Sequence, residues 1–276
     1  MRSFCSAMLR TAVLRTAISA SLLLAPAGAQ AATCGNTATG FEAWKGSFAR
    51  TAKRAGVGQA GLAALAQAQY AQGTINADRN QKSFKYALDK FMQIRGATTI
   101  VAQGKKRKAR NAAFFDALEK KYGVPAGILI AIHGMETAFG SYMGDSQVVS
   151  AIVTLTYDCR RSSFFEPHAL GALKLVDQGA ITSATLGAKH GELGHTQFLP
   201  GNALTYGQDW NRDGRVNFYD MGDALASTAH FLRKKGWKRG RGYQPGEPNH
   251  KVLKQWNAAT VYQQSLAIMG RQIDGI

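Results

Sequence analysis

Acidic residues are scarce: 17 Asp and Glu stand against 34 Lys and Arg in 276 residues, a formal charge of +17. A field of that sign favours an anionic polymer or a membrane surface as partner. Cysteines number three, too few for a zinc cluster or a disulfide-knitted miniature scaffold. The apolar run near the N-terminus, Ile18 to Leu24, falls well short of the roughly 20 residues a spanning helix needs, and Pro26 interrupts it. Internal repeats and long linkers are lacking, and strand signals are few. What is present is an ordinary globular composition, 45% hydrophobic and 18% charged, enough for one large domain or two small ones.

Arg2, Arg10 and Arg15, the short apolar stretch and Ala29-Gln30-Ala31 read as a secretory signal peptide over residues 1–31. Cys34 follows Ala31-Ala32-Thr33, which lacks the features of a lipoprotein site, so export without a lipid anchor is expected. Cleavage before Ala32 removes three arginines and lowers the charge to +14. It also removes Cys5, leaving Cys34 and Cys159 as the expected disulfide in an oxidising compartment. In an exported chain, Lys105-Lys106-Arg107-Lys108 with Arg110 reads as a solvated face or cell-wall electrostatics, and no nucleic-acid partner is expected.

The periodicity predicts helices over 60–72, 86–94, 112–122 with Gly123 as C-cap, from Pro125 onward, and around 165–178, 221–235 and 252–272. Residues 152–157 are rich in β-branched side chains and fit either a strand or a buried helical turn. A mainly α domain with loop-borne chemistry is the expectation.

Three segments carry chemistry. In Gly123 to Gly140, Ile128, Leu129, Ile130, Ile132 and Met135 make a helix apolar nearly all round. Glu136 lies one turn before its end on an otherwise apolar face, where a carboxylate is costly unless paired or used. A structural salt bridge is one reading; the other is a general acid whose pKa is raised by apolar surroundings. Gly191-Glu-Leu-Gly-His-Thr-Gln197 followed by Pro200 describes a loop whose backbone approaches something closely. His190, Glu192 and His195 lack the spacing of a metal site on one helical face. Asp209, Asn211, Asp213, Gly214 and Arg215 have the spacing of a calcium loop, with Asp220 at the closing position or a longer loop closed by Asp223.

These segments in this order resemble the membrane-bound lytic transglycosylase B family of murein-degrading enzymes. The resemblance runs from about Asn76 to the C-terminus. It includes Asp78-Arg-Asn-Gln81, Tyr122-Gly-Val-Pro125, Gly134-Met-Glu136-Thr, Thr154-Leu-Thr-Tyr157, Arg160-Arg161, the Gly-x-x-Gly-x-x-Gln loop, the calcium loop, Gly236-Trp237 and Trp256-Asn257-Ala-Ala-Thr-Val-Tyr262. It implies a lysozyme-like helical catalytic domain with little β structure, over 75–276 and including an EF-hand-like loop at 209–223, preceded by a helical segment of uncertain role at 32–74. It further implies a peptidoglycan substrate of alternating N-acetylglucosamine and N-acetylmuramic acid, with Glu136 as the catalytic acid and then base. The product would be a 1,6-anhydromuramyl end. By the same resemblance Gln197, Asn257, Tyr262, Tyr157 and His195 would contact the sugar or the acid, and Arg160 and Arg161 would lie near the peptide stem. No cofactor is implied for the chemistry. Ca2+ would serve as a structural ion through Asp209, Asn211, Asp213, Arg215, Asp220 and Asp223. The implied location is the periplasm of a Gram-negative bacterium.

The chain departs from the family at Ala188-Lys-His-Gly-Glu-Leu-Gly194, where members often have Ser-aromatic-Ala-Gly-Ala-Met-Gly. A serine hydroxyl is lost and Glu192 is introduced, either as a second acid that activates water or as a turn-capping or Lys189-paired residue. A muramidase that hydrolyses the same bond, or a basic wall-binding protein without turnover, are the competing functions.

Overall fold

The structure, a computed structural model, describes residues 33–80 and 83–276. The expected signal peptide lies outside the described residues, as does Gln81. Described residues form thirteen α-helices: α1 Phe41–Arg54, α2 Gln59–Gln67, α3 Gln72–Arg79, α4 Leu88–Ile94, α5 Ala97–Arg110, α6 Ala112–Tyr122, α7 Ala126–Thr137, α8 Val148–Tyr157, α9 Ser162–Asp177, α10 Pro200–Tyr206, α11 Met221–Lys234, α12 His250–Trp256 and α13 Thr260–Asp274. Two short strands, β1 Ser146–Gln147 and β2 Leu186–Gly187, pair antiparallel. Among the described residues no helix is long and apolar enough to cross a membrane.

Helix α7 is the axis of the core. Ile128, Leu129, Ile130, Ala131 and Ile132 are each at most 1% exposed, because α5, α6, α11 and α13 surround the helix. Its closest neighbour is α13. Gly127 and Gly270 face each other so closely that a Cβ on Gly127 would overlap the carbonyl oxygen of Gly270. Asp274, at the far end of α13, fixes the pair. Its Oδ1 accepts from the Gly127 N–H at 2.9 Å and from Lys108 Nζ at 2.7 Å, and its Oδ2 from the Tyr243 hydroxyl at 3.1 Å. An orphan N–H at the start of α7 is thereby satisfied by a carboxylate, which also suits the helix dipole. The two helices run antiparallel from this clamp, so that the end of α7 meets the beginning of α13.

Residues 148–157 are helical, resolving the strand-or-helix ambiguity. Every residue of α8 is buried, and packing on α9 and α2 overrides the β preference of its branched side chains. Two expected helices are broken. The Ala-rich run 60–72 stops at Gln67 and restarts at Gln72, with Ala68 extended. The break is made by distant side chains. Lys45 Nζ donates to Ala66 O and Ala68 O, while Ser150 Oγ and Thr154 Oγ1 accept from the N–H groups of Gln69 and Ala71. The run 252–272 breaks at Asn257, whose Oδ1 accepts from Ala259 N at 2.9 Å in an Asx turn.

Helices α1 to α3 pack on α8 and α9, and the described residues from 33 onward belong to one compact unit. Asp177 at the end of α9 accepts from Gly58 N at 2.6 Å and Gly61 N at 2.7 Å, fastening the start of α2. Cys34 and Cys159 are disulfide-bonded across a sequence separation of 125. In the chain-entropy picture, opening a loop of that size removes about 3–5 kcal/mol of stability. Cys159→Ser is therefore expected to lower Tm by roughly 10 °C in a thermal melt under non-reducing conditions, and dithiothreitol should do the same to the unaltered protein.

Candidate active site

Glu136 sits in the last turn of α7, at the floor of a cleft of about 790 Å³, room enough for a ligand of several rings. The helix ends abruptly behind it. Ala138, Phe139 and Gly140 all have left-handed φ, at 48°, 62° and 84°, a conformation that costs a non-glycine residue about 1–2 kcal/mol. Gly140 is obligatory, since a Cβ there would overlap the His195 ring. Thr137 Oγ1 secures the turn, accepting from Gly140 N and donating to His195 O at 2.7 Å.

Tyr262, in the first turn of α13, and Trp256, at the end of α12, both reach Glu136 because the chain breaks between them. The Tyr262 hydroxyl donates to Glu136 Oε1 at 2.5 Å and Trp256 Nε1 donates to the same oxygen at 3.1 Å. Oε2 makes no hydrogen bond to the described residues. Burial pushes the Glu136 carboxyl up to about 6, the nearby Glu192 charge adds to the rise, and the two hydrogen bonds and Arg95 oppose it. Burial and the adjacent carboxylate hold the Tyr262 hydroxyl well above the ordinary phenol value, so it remains a donor. An acid poised near neutrality on an apolar floor can protonate a leaving oxygen and take a proton back. Tyr262→Phe removes a bond that favours the charged carboxylate. The alkaline limb of the kcat/KM profile should then rise by about one pH unit; an unmoved limb would mean that Tyr262 does not tune Glu136.

The cleft walls bring together Arg161, His190, Glu192, Gln197 and Asn257 with Phe84, Phe164 and Phe165. Asp78, only 5% exposed, pairs with both Arg160 and Arg161, and Arg160 also donates to the Asp78 carbonyl. Arg161 thus faces the cleft with its charge compensated from behind, while Arg160 is not part of the cleft lining. Glu192 lines the cleft and also caps its own turn, accepting from His190 N at 3.1 Å; Lys189 pairs instead with Asp145. Gln197 has φ 54° and its Nε2 donates to Gly194 O at 2.7 Å and Met143 O at 3.3 Å. The side-chain amide is locked by its NH2 group. What the glycines of this loop approach is protein: a Cβ at Gly194 would overlap Phe218 O, and one at Gly191 would crowd α8.

Two expected substrate contacts lie elsewhere. Tyr157 is 3% exposed and its ring packs on Phe41, Trp44 and Tyr70, where apolar burial explains it fully. His195 lies behind the cleft, its Nδ1 3.0 Å from His133 Nε2; burial holds His133 down at about 3 and lowers His195 as well. Trp256 is the site residue that periodicity could not find. Its only signal is the six-residue spacing to Tyr262.

The loop after Gln208 turns on its own carboxylates. Asp209 accepts from Asp213 N and Gly214 N, Asn211 from Asp213 N, and Asp213 from Arg215 N. Asp223, fully buried, accepts from Trp210 N and Asn217 N at 2.8 Å each, and Asp220 caps α11 through Asp223 N. Among the described residues no three His, Cys, Asp or Glu side chains gather closely enough to hold a metal ion. Asp223 is buried and Asp220 caps α11. Asn211, Asp213 and Arg215 are exposed, and the carboxylates of Asp209 and Asp213, the Asn211 amide oxygen and the Arg215 carbonyl, though the first three also accept from backbone N–H groups, make an all-oxygen donor set whose chemistry fits a hard cation.

A buried central helix that delivers one carboxyl to a groove between helices, with almost no sheet, defines the lysozyme-like lytic transglycosylase fold. The chain belongs to the transglycosylase SLT domain family, whose sequence profile matches residues 40–246 and so reaches into α1 to α3. It is 32% identical over 146 residues to membrane-bound lytic murein transglycosylase B of Escherichia coli K12, a match spanning 49% of this chain and 40% of that protein. Among solved structures it is similar to SltB3 of Pseudomonas aeruginosa in complex with NAG-NAM-pentapeptide, with TM-score 0.77 and 25% identity, covering 86% of this chain and 80% of that one. The fold is also that of the Escherichia coli lytic transglycosylase Slt35 in complex with calcium, with TM-score 0.70 and 19% identity, covering 83% of this chain and 92% of that one.

Proposed function

We propose that this protein is a peptidoglycan lytic transglycosylase that cleaves the bond between N-acetylmuramic acid and N-acetylglucosamine and leaves a 1,6-anhydromuramyl end. The observation that carries the reading is the Glu136 carboxyl, raised to about 6 and held by Tyr262 and Trp256 through one oxygen only. Protonated, Glu136 donates to the bridging oxygen as the C1–O bond breaks and positive charge develops on the muramyl ring. Deprotonated, it takes the proton of the muramyl C6 hydroxyl as that oxygen bonds to C1. The nucleophile belongs to the substrate, so one protein carboxyl suffices. Asn257 and Gln197, fixed by their local hydrogen bonds, hold the sugars, and Arg161 meets the carboxylates of the stem peptide. Support for the substrate comes from the neighbouring SltB3 structure with its NAG-NAM-pentapeptide.

Mass spectrometry of the muropeptides released from purified sacculi tests this. Products lacking one water relative to the hydrolysed form are expected. Reducing-ended products would replace the reading with a muramidase in which Glu192, lining the same cleft, activates water. No products would leave a wall-binding protein. An oxidising periplasm, which suits the Cys34–Cys159 bridge, is the location that goes with this activity.

The loop 209–223 would bind Ca2+ as a structural ion through Asp209, Asn211, Asp213 and the Arg215 carbonyl. Millimolar calcium is expected to raise Tm by a few degrees, and Asp213→Ala to abolish the rise. A Tm indifferent to calcium would remove the ion from the proposal.

A further inference from the structure

The residues 233–241 carry six cations in nine positions, Arg233, Lys234, Lys235, Lys238, Arg239 and Arg241, without an acid among them. All six are exposed. They are not a loose tail. Trp237 anchors the loop in the core at 1% exposure, and the fully buried Asn249 clamps its backbone. The Lys238 N–H donates to Asn249 Oδ1 at 2.8 Å, and Asn249 Nδ2 donates to Lys238 O at 2.8 Å and Arg241 O at 2.7 Å. Arg239 Nη2 donates to Lys120 O at 2.6 Å, which joins the loop to the end of α6 and its exposed Lys120 and Lys121. The acids Glu119 and Glu247 line the adjoining hollow with Arg241 and Arg271, and Glu247 is engaged by Gln244 N. Eight exposed cations, six from this segment and Lys120 and Lys121 from the end of α6, are thus joined into one basic region by the Arg239–Lys120 bond. Their mutual repulsion costs stability, offset in part where Arg233 donates to Trp237 O at 2.9 Å and where Lys235 lies over the Tyr206 and Phe231 rings and Lys121 over those of Tyr122 and Trp210.

Position makes the face useful. Gly123, against Arg239, precedes α7, and Glu136 lies in the last turn of that helix, about 15 Å along its axis from Ala126 at 1.5 Å per residue. A ligand on the Arg239 side of this region meets the end of α7 remote from Glu136. We propose that this face docks the protein on an anionic phospholipid surface. A two-dimensional array of phosphates can meet cations spread over a loop and a neighbouring helix end at once, whereas a glycan strand with carboxylates along one line meets only part of them. Rigid presentation also means that little chain entropy is lost on docking.

The test is co-sedimentation of the full chain with vesicles of phosphatidylcholine alone or mixed equally with phosphatidylglycerol, at low and high salt. Binding to the mixed vesicles only, at least tenfold weaker at high salt, is expected. The variant Lys234→Glu, Lys238→Glu, Arg241→Glu should lose that binding at least tenfold while keeping its thermal melt and its release of products from sacculi. Equal binding to both vesicle types, no binding to either, or a variant that binds unchanged overturns the proposal. A variant that loses sacculus binding but keeps vesicle binding overturns it too, and makes the face a site for an anionic wall polymer. None of the binding readouts depends on the reaction assigned to Glu136.

Discussion

Glu136→Gln is expected to lower product release from sacculi about a thousandfold, within the range of general acid–base catalysis, while the fold persists. Glutamine keeps the size of the side chain and an oxygen for Tyr262 and Trp256, but it can neither give nor take the proton. Stability supplies an independent check. A carboxyl whose folded value is about 6, against 4.5 for the unperturbed group, favours folding when protonated. Its contribution is fully present below pH 4.5 and is lost as pH rises through 6, amounting to ~2 kcal/mol at pH 8. The neutral glutamine escapes that loss, so the variant should melt at or above the Tm of the parent at pH 8 and show no such gain at pH 4. Retained turnover would remove Glu136 from the mechanism; a lower Tm at pH 8 would mean that its burial does not raise its pKa.

Gly127→Val is expected to be the most damaging change outside the cleft. The new side chain would overlap Gly270 O and the Asp274 carboxylate, forcing α7 from α13 and breaking the 2.9 Å bond that caps α7. Overpacking of this kind together with a lost cap costs about 3 kcal/mol or more. The same two helices carry Glu136 and Tyr262, and a displacement of about 1 Å at reacting groups can cost about a hundredfold in rate. Tm and activity should therefore fall together. Gly73→Ala, where a Cβ meets nothing within 4 Å, should leave activity unchanged and hold or slightly raise Tm.

Glu136 was legible because it is the one carboxylate on a helix apolar on every side, a conflict that local physics alone makes visible. Its partners were less so. Tyr262 came through family resemblance, and the hydrogen bond from Trp256 joins residues 120 apart, a distance over which periodicity carries no information. The breaks at Ala68 and Asn257 had different causes. Ala68 to Ala71 lies among good helix formers, and what stops the helix there is Lys45, Ser150 and Thr154, supplied by other elements. At Asn257 the Asx turn is local, but an asparagine inside an amphipathic pattern does not announce whether it will cap or be solvated. Tyr157 is the converse case: a residue within a recognisable motif that the structure places in the core, against Phe41, Trp44 and Tyr70. Glu192 lines the cleft and caps its own turn, so the position a second acid would need and a local structural role occur together at one residue.

The one-sided grip on the Glu136 carboxyl has a stereochemical consequence. With two donors aimed at Oε1, the neutral acid is held as a single tautomer, its proton on Oε2. In the reaction proposed above, the atom that releases the proton to the departing sugar would be the atom that recovers one from the C6 hydroxyl. The carboxyl would not have to rotate between the two halves of that reaction, and proton traffic would pass through one oxygen on one face of the sugar.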